Sequence, residues 1–348
     1  QCQARAGGPP PTTHQQNGIW QPTWNPWPGE SLTFAFQRPE GLPGQSLTID
    51  HADLRLVPGT RLMKATLAFS IRASQGGVHT LTLPEGAEVQ ALTLDGAAQP
   101  TRQEDRKLAL SLTPGAHQAQ VEWQQAGGLS ARMVAPLVDL GAPAVNVRVH
   151  IEVPDDRWVV AAGGPDWGPA VLFWGLLLAA VVVALGLGRL RLSPLKSWQW
   201  ALLALGLVLL PPQIAIGVAG WFLVMQWRRT HPLARPLAFD ALQVVLVGWT
   251  LAFLVGLYAS VHSGLLLDPD MQIAGAGSSN GHLAWLVDRV PGALPQPWFI
   301  SLPNWTWKAT MLLWSLWLAA SLVRWLPWGF RAFAHGQLWL PLRKPRPT

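Results

Sequence analysis

Uncharged apolar runs constrain this chain more than any other feature. Trp167 to Gly188, Ser197 to Trp227, Ala241 to Val261 and Ala309 to Val323 contain no Asp, Glu, Lys or Arg. Runs of about 18 residues or more suffice to cross a bilayer core, and the last is only slightly shorter. The first 160 residues contain nothing comparable. The expected architecture is therefore a soluble N-terminal part followed by a polytopic α-helical membrane bundle. A composition of 49% hydrophobic and 13% charged residues, with mean hydropathy +0.21, fits that division and not an ordinary soluble domain.

The second run is too long for one simple crossing. As a single helix it would extend about 46 Å, against a hydrocarbon core of roughly 30 Å. Pro211 and Pro212 interrupt it midway, and proline disfavours helix both at its own position and at the residue before it. A hairpin of two legs, 197–210 and 213–227, is the preferred reading, either crossing tightly or dipping in and returning. A single kinked helix is the alternative. The flanks favour the hairpin: Arg189, Arg191 and Lys196 precede the run, Arg228, Arg229 and Arg235 follow it, and short basic connections stay on the cytoplasmic side.

The full map follows, with helices at about 168–188, 197–210, 213–227, 237–260 and 308–326. The N-terminal part and segment 261–307 are placed outside, and the basic tail 336–348 in the cytoplasm. The outer segment agrees in charge, with Asp268, Asp270 and Asp288 against Arg289. Counting Arg324, Arg331, Arg343, Lys344 and Arg346 with the six flanking residues leaves 14 basic against 19 acidic residues elsewhere. The net charge of +6 therefore reports topology and not a nucleic-acid surface. Of 21 Trp, 16 fall from Trp167 onward. Trp167, Trp198, Trp200, Trp227, Trp305, Trp307, Trp325 and Trp328 read as headgroup-level anchors.

Residues 30–160 read as an antiparallel β-sandwich of immunoglobulin-like type. Apolar residues alternate at Leu32, Phe34 and Phe36, at Ala65, Leu67, Phe69 and Ile71, at Leu108, Leu110 and Leu112, and from Val145 to Val153. Turn signals separate these runs, among them Pro58-Gly59, Asp95-Gly96 and Pro114-Gly115. Residues 1–29, rich in Pro and Trp, form an arm or the end of an upstream domain, and 161–335 is the membrane region. The chain starts Gln1-Cys2 without Met, so a cleaved signal or a longer polypeptide is expected upstream. Cys2 is the only cysteine, which leaves no internal disulfide and reads as an ordinary thiol.

The strings WQPTWNPWPGE (20–30), DRWVVAAGGPDWGPAVLFW (156–174), PDMQIAGAGS (269–278) and MLLWSLWLAASLVRWLPWGF (311–330) resemble the C-terminal portion of large uncharacterised bacterial inner-membrane proteins. The resemblance covers nearly the whole chain. It implies a Gram-negative inner membrane, a periplasmic sandwich and further sequence upstream, and it brings no catalytic residues.

Chemistry-bearing candidates are few. Asp240, with Gln243 on the same helix face, reads as a helix cap or a partner of Arg235 or Arg229, and His262 as an interfacial residue. The segment DPDMQIAGAGSSNGHLAWLVDR (268–289) is where a site is expected if one exists, with Asp268, Asp270, His282 and Asp288 as its acid, base or metal groups and Asn280 beside them. No spacing there matches a recognised metal or hydrolase motif, Asp-Pro and Ser-Asn-Gly are ordinary turn chemistry, and a structural loop packed on the sandwich is the preferred reading. No P-loop, nucleophile elbow or HExxH occurs. Neither a cofactor nor a metal is expected.

The preferred function is a non-catalytic envelope protein, a scaffold or subunit of a larger inner-membrane complex with membrane lipids and protein partners. The alternative is an enzyme or transporter acting on an envelope lipid or glycan. A glycan-binding module using Trp20, Trp24, Trp27 or Trp123 is a third reading.

Overall fold

The computed structural model describes residues 3–7, 12–16, 19–25, 27–31, 33–37, 47–190, 192–231, 236–335 and 338. Near the N-terminus, strands β1 (Gln3–Gly7), β2 (Thr12–Gln16), β3 (Ile19–Thr23) and β4 (Thr33–Gln37) form two antiparallel ladders, β1 with β4 and β2 with β3. Of the strand expected at 32–36, residues 33–36 fall in β4, which among the described residues pairs with β1 of the arm and not with the sandwich, and Leu32 lies outside the described residues.

The main body is sheet. Its strands are β5 (Leu47–Pro58), β6 (Leu62–Ala73), β7 (Gly77–Thr82), β8 (Ala87–Leu94), β9 (Ala97–Ala98), β10 (Gln103–Glu104), β11 (Lys107–Leu112), β12 (Gly115–Ala126), β13 (Arg132–Val134), β14 (Ala144–Glu152), β15 (Arg157–Gly163) and β16 (Ala170–Val171). Helix α1 (Phe173–Leu187) follows, then α2 (Ser197–Leu207), α3 (Pro212–Thr230) and α4 (Pro236–Leu266). Three more strands, β17 (Ile273–Ala274), β18 (His282–Val290) and β19 (Trp298–Pro303), precede α5 (Asn304–Phe333). The protein is thus a sheet-rich domain with five helices among the described residues.

Seven strands form one sheet in the order β18-β14-β5-β6-β12-β8-β9, and β10-β11-β7 and β13-β19-β15 form smaller ones. Alternation works as the sequence suggests: Leu54, Leu56, Leu67, Ile71, Leu108, Val121, Val149 and Ile151 are buried in one core. Asp95 (φ 53) and Gly96 (φ 79) make the two-residue, left-handed turn that joins β8 to β9.

Two expectations need correction. The sandwich is not wholly antiparallel, because β14 runs parallel to β5. Nor does the sheet close within 30–160: β18 pairs with β14 from Ala144↔Val290 to Glu152↔His282, and β19 lies between β13 and β15. The segment between α4 and α5 is therefore built into the sheet domain, where it buries Leu283, Trp285, Val287 and Phe299. Val145 also departs from the predicted alternation and is exposed, while Ala144 and Val147 are buried. Asn146 lies in the left-handed region (φ 52) and β5 carries a register shift between Ile49 and His51, so both strands twist there and the inward face moves by one residue.

The helices start from that frame. Phe173 of α1 meets Trp307 of α5 edge-on (6.1 Å), and Trp307 meets Trp158 of β15 (5.4 Å), so both helices start at the sheet domain. α2 returns towards the sheet and α3 runs away from it: Trp200 lies against Phe222 (5.5 Å), while the Gly206 carbonyl accepts from Ser260 Oγ (2.7 Å) nearer the sheet end of α4. This is the hairpin arrangement, with Pro211 at the N-cap and Pro212 at the first position of α3, where a missing N–H costs nothing. Leu237–Leu266 and Asn304–Phe333 are long and apolar enough to cross a membrane.

Tryptophan packs these helices more than it decorates their ends. Trp167, Trp198, Trp227 and Trp305 are exposed as expected of anchors, but Trp200, Trp307 and Trp325 are buried. Interior indoles sit on backbone: Trp314 donates to the Leu202 carbonyl (2.7 Å), and Trp249 donates to the Gly217 carbonyl (2.9 Å) while covering Gly220.

Candidate functional site

The four acid, base or metal candidates do not converge. Asp268, just past α4, accepts from Asn304 Nδ2 (3.1 Å) with Lys308 Nζ 3.9 Å away. It lines a crevice of about 350 Å³ with Asp155, Arg157, Asn280 and Asn304. Arg157 is committed to that junction's structure, donating to Ser301 Oγ (3.1 Å), the Ser301 carbonyl (2.9 Å) and the Ser130 carbonyl (3.2 Å). Asp270 Oδ1 accepts from the Gln272 backbone N–H (2.8 Å) and from Asn280 Nδ2 (3.1 Å), which is turn chemistry. Asp288 is exposed, six residues along β18 from His282 and hence about 20 Å from it.

The Gly/Ser stretch that precedes β18 has an identifiable task. β18 is an edge strand, and its outer N–H and C=O groups would otherwise be open to another chain. Ser279 and His282 exchange backbone bonds (2.7 and 3.1 Å), Ser278 Oγ accepts from the Ala284 N–H (3.0 Å), and Trp167 exchanges bonds with Leu286 (3.3 and 2.8 Å). The stretch caps the edge.

His282 alone enters a titratable cluster, with partners that local pattern did not single out. His150 Nδ1 lies 3.0 Å from His282 Nε2, the rings stack at 5.0 Å, and His150 Nε2 lies 3.3 Å from Asp53 Oδ2. Arg55 and Glu152 form an ion pair alongside (3.0 Å). Period two places these groups on the outward face of β5 and β14, but only the non-local β5–β14–β18 pairing brings them together. Burial pushes the Asp53 carboxyl up, but the His150 hydrogen bond and charge, with His51 and Arg148, outweigh it and hold the carboxyl below its usual range. Burial, then the neighbouring His150 and Arg55, hold His282 below the ordinary imidazole value, against a smaller opposing pull from Glu152 and Asp53.

This line of groups holds one proton between two imidazoles. Among the described residues no hydroxyl or thiol hydrogen-bonds to either ring, and no group of three His, Cys, Asp or Glu is arranged to hold a metal ion. The cluster gives a pH dependence of definite sign. A histidine held below its unfolded pKa resists protonation in the folded state, so its contribution to stability is complete above the ordinary value of about 6.5 and is lost as pH falls below it. Thermal unfolding between pH 7.5 and 5 should show a smaller acid loss for His282→Gln than for the wild type; an equal loss would contradict this assignment.

Helix ends hold the remaining candidates. Arg189 follows α1, Lys196 caps α2, and Arg228 and Arg229 occupy the last turn of α3, where cations complement the helix dipole. Arg228 is buried, over the Phe239 ring (4.5 Å) and donating to the His335 carbonyl (3.1 Å). Gln243 is buried and ties α4 to the end of α5 through the Phe333 carbonyl (3.2 Å). Asp240 is half-buried one turn into α4, and His262 is exposed beside Tyr258 (6.1 Å). Trp123 is buried in the sandwich core, so it presents no stacking platform. Cys2, Arg191, Arg235, Arg343, Lys344 and Arg346 lie outside the described residues.

No family model and no curated protein sequence matches the chain. Among solved structures it is similar to the M1 zinc metallopeptidase from Deinococcus radiodurans (18% identity, TM-score 0.27) and to a mutant of that enzyme bound to a Tyr-Ser-Ala substrate (16% identity, TM-score 0.29). Each match covers 35% of this chain and 35% of the other. The chain thus spans about a third of those proteins.

Proposed function

We propose that this chain is a non-catalytic, multi-pass inner-membrane protein whose sheet domain stands in the periplasm as the docking part of a scaffold or complex subunit. The observation that carries the reading is the outward surface of the helices. In the most apolar windows of α4 and α5 only 28% of residues are buried, and the exposed ones include Val244, Leu251, Val255, Leu313 and Val323 at 61–74% exposure. The core helix of a soluble protein is mostly buried, whereas a surface this apolar is stable only against hydrocarbon or another protein.

Charge supports the orientation. Arg189, Lys196, Arg228, Arg229, Arg324 and Arg331 belong to helix ends remote from the sheet domain, and Lys308 is the one described helix cation beside it. That asymmetry follows the positive-inside rule with the sheet domain outside. The non-catalytic part of the reading rests on the dispersal of Asp268, Asp270, His282 and Asp288 over three separate places. In a Cys2→Ser background, Ser279→Cys should react with an impermeant thiol reagent in intact spheroplasts and Thr230→Cys only after lysis. Labelling of position 230 in intact spheroplasts would overturn the orientation, and recovery of the chain in the soluble fraction would overturn the membrane assignment.

A further inference from the structure

We propose that the cavity between α1 and the α2–α3 hairpin binds one acyl chain of a membrane phospholipid. This rests on the membrane reading above. The cavity is open on one side and has a volume of about 550 Å³, within the range of ligand sites, and its wall is overwhelmingly apolar. Five small side chains create the space, Ala180 and Ala184 on α1, Ala204 on α2, and Ala215 and Ala219 on α3. Small residues usually let helices close on one another. Here α1 and α2 do close, and the space remains between them and α3, which starts afresh at Pro211 and Pro212 at the hairpin tip.

The floor reaches the interior, where Trp200 and Leu203 are buried. The mouth opens between Leu176 and Ile216, which belong to the exposed apolar surface. Left empty, an apolar wall of this extent forgoes dispersion contacts with any occupant. Occupants differ in bulk. A helix from a second copy or another protein, about 10 Å across, would lay one face over the mouth, whereas the floor lies deeper, at the buried Trp200 and Leu203. A single hydrocarbon chain does fit, and it is what surrounds the mouth.

Gln272 supplies the one side-chain amide in the lining. Its backbone is held in the left-handed region (φ 50) by its N–H bond to Asp270 Oδ1, and its carbonyl receives the Leu172 N–H (3.4 Å) at the start of α1. The amide therefore lies where the sheet domain meets the helices, at the depth of a phospholipid's glycerol esters, to which its N–H groups can donate.

The test reconstitutes the full chain in phosphatidylethanolamine–phosphatidylglycerol vesicles containing a phospholipid with a diazirine in one acyl chain, and maps photolabelled peptides. Mapped to single residues, wild type should be labelled at the cavity-lining Ala184, Ala204 and Ala219 as well as at outward-facing residues such as Leu178 and Val182 of α1 and on the outward faces of α4 and α5. Ala180→Phe with Ala215→Phe fills the cavity and should lower labelling of Ala184, Ala204 and Ala219 about tenfold, with the outward-facing residues labelled as before. If the double variant does not fold, Ala215→Leu should give a smaller loss at the same lining residues. Equal cavity labelling in a folded, filled variant overturns the inference alone, as does a crosslinked second copy in place of lipid. Absence of label from α4 and α5 as well overturns the membrane reading itself.

Discussion

Gly206→Ala is expected to destabilise the helical part by about 3 kcal/mol or more, the upper range for overpacking a closed core. A Cβ at Gly206 would sit inside the van der Waals envelope of the Trp314 indole, with Cε2 only 2.6 Å away. The indole has little freedom to retreat, being 4% exposed and bonded through Nε1 to the Leu202 carbonyl (2.7 Å). Helix α2 cannot back away either, because on its other side the Gly206 carbonyl holds Ser260 of α4 (2.7 Å). Thermal unfolding in detergent micelles measures the loss, and Trp314→Leu in the same chain should restore part of it by removing the ring. Gly217→Ala is the control: nothing lies within 4 Å of its added Cβ, so alanine's higher helix propensity should leave stability unchanged or raise it by up to about 1 kcal/mol. Equal effects at the two glycines would show that helix propensity, and not the Trp314 contact, decides.

The two glycines also mark where sequence reasoning stops. Hydropathy located all five helices, because an apolar run is a local property, and the two prolines located the break between α2 and α3 for the same reason. Which glycine meets an indole depends on helix rotation and partner, and a sequence with mean hydropathy +0.21 and apolar residues all round each helix has no stripe that fixes rotation. The sheet domain divides in the same way. Period two placed Leu67, Leu108 and Val149 inward correctly. It failed at Val145, where an Asn in left-handed geometry twists the strand. It gave no sign that His150 would find His282, 132 residues later, across a strand drawn from between two helices. The segment 268–289 gathers Asp, His, Gly and Ser residues of the kind a site uses, yet most of these groups satisfy backbone at a turn or guard an edge.

Trp285→Ala is expected to cost about 3–5 kcal/mol and to unfold the sheet domain, although Trp285 lies between two helices in sequence. Its side chain is 1% exposed, and Gly164 and Gly168 lack a Cβ where one would strike it, the former at 2.9 Å from Nε1. Neither neighbour can swing in to fill the space left by alanine, so the full cavity penalty remains. Trp285→Phe should behave differently. The buried indole N–H has no hydrogen-bond partner among the described residues, so its loss removes an unsatisfied donor worth about 1–3 kcal/mol while a six-membered ring stays in the core. Near-native stability for Phe beside collapse for Ala, followed by near-ultraviolet circular dichroism during thermal unfolding, would establish that packing and not polarity fixes this position. The same reasoning applies to a chain ended after Gly163: without β18 and β19, the edges of β14 and β15 stay unpaired and the core loses Leu283, Trp285, Val287 and Phe299, so that fragment should not fold. A folded, soluble 47–163 fragment would show instead that the inter-helix strands merely dress a domain already complete.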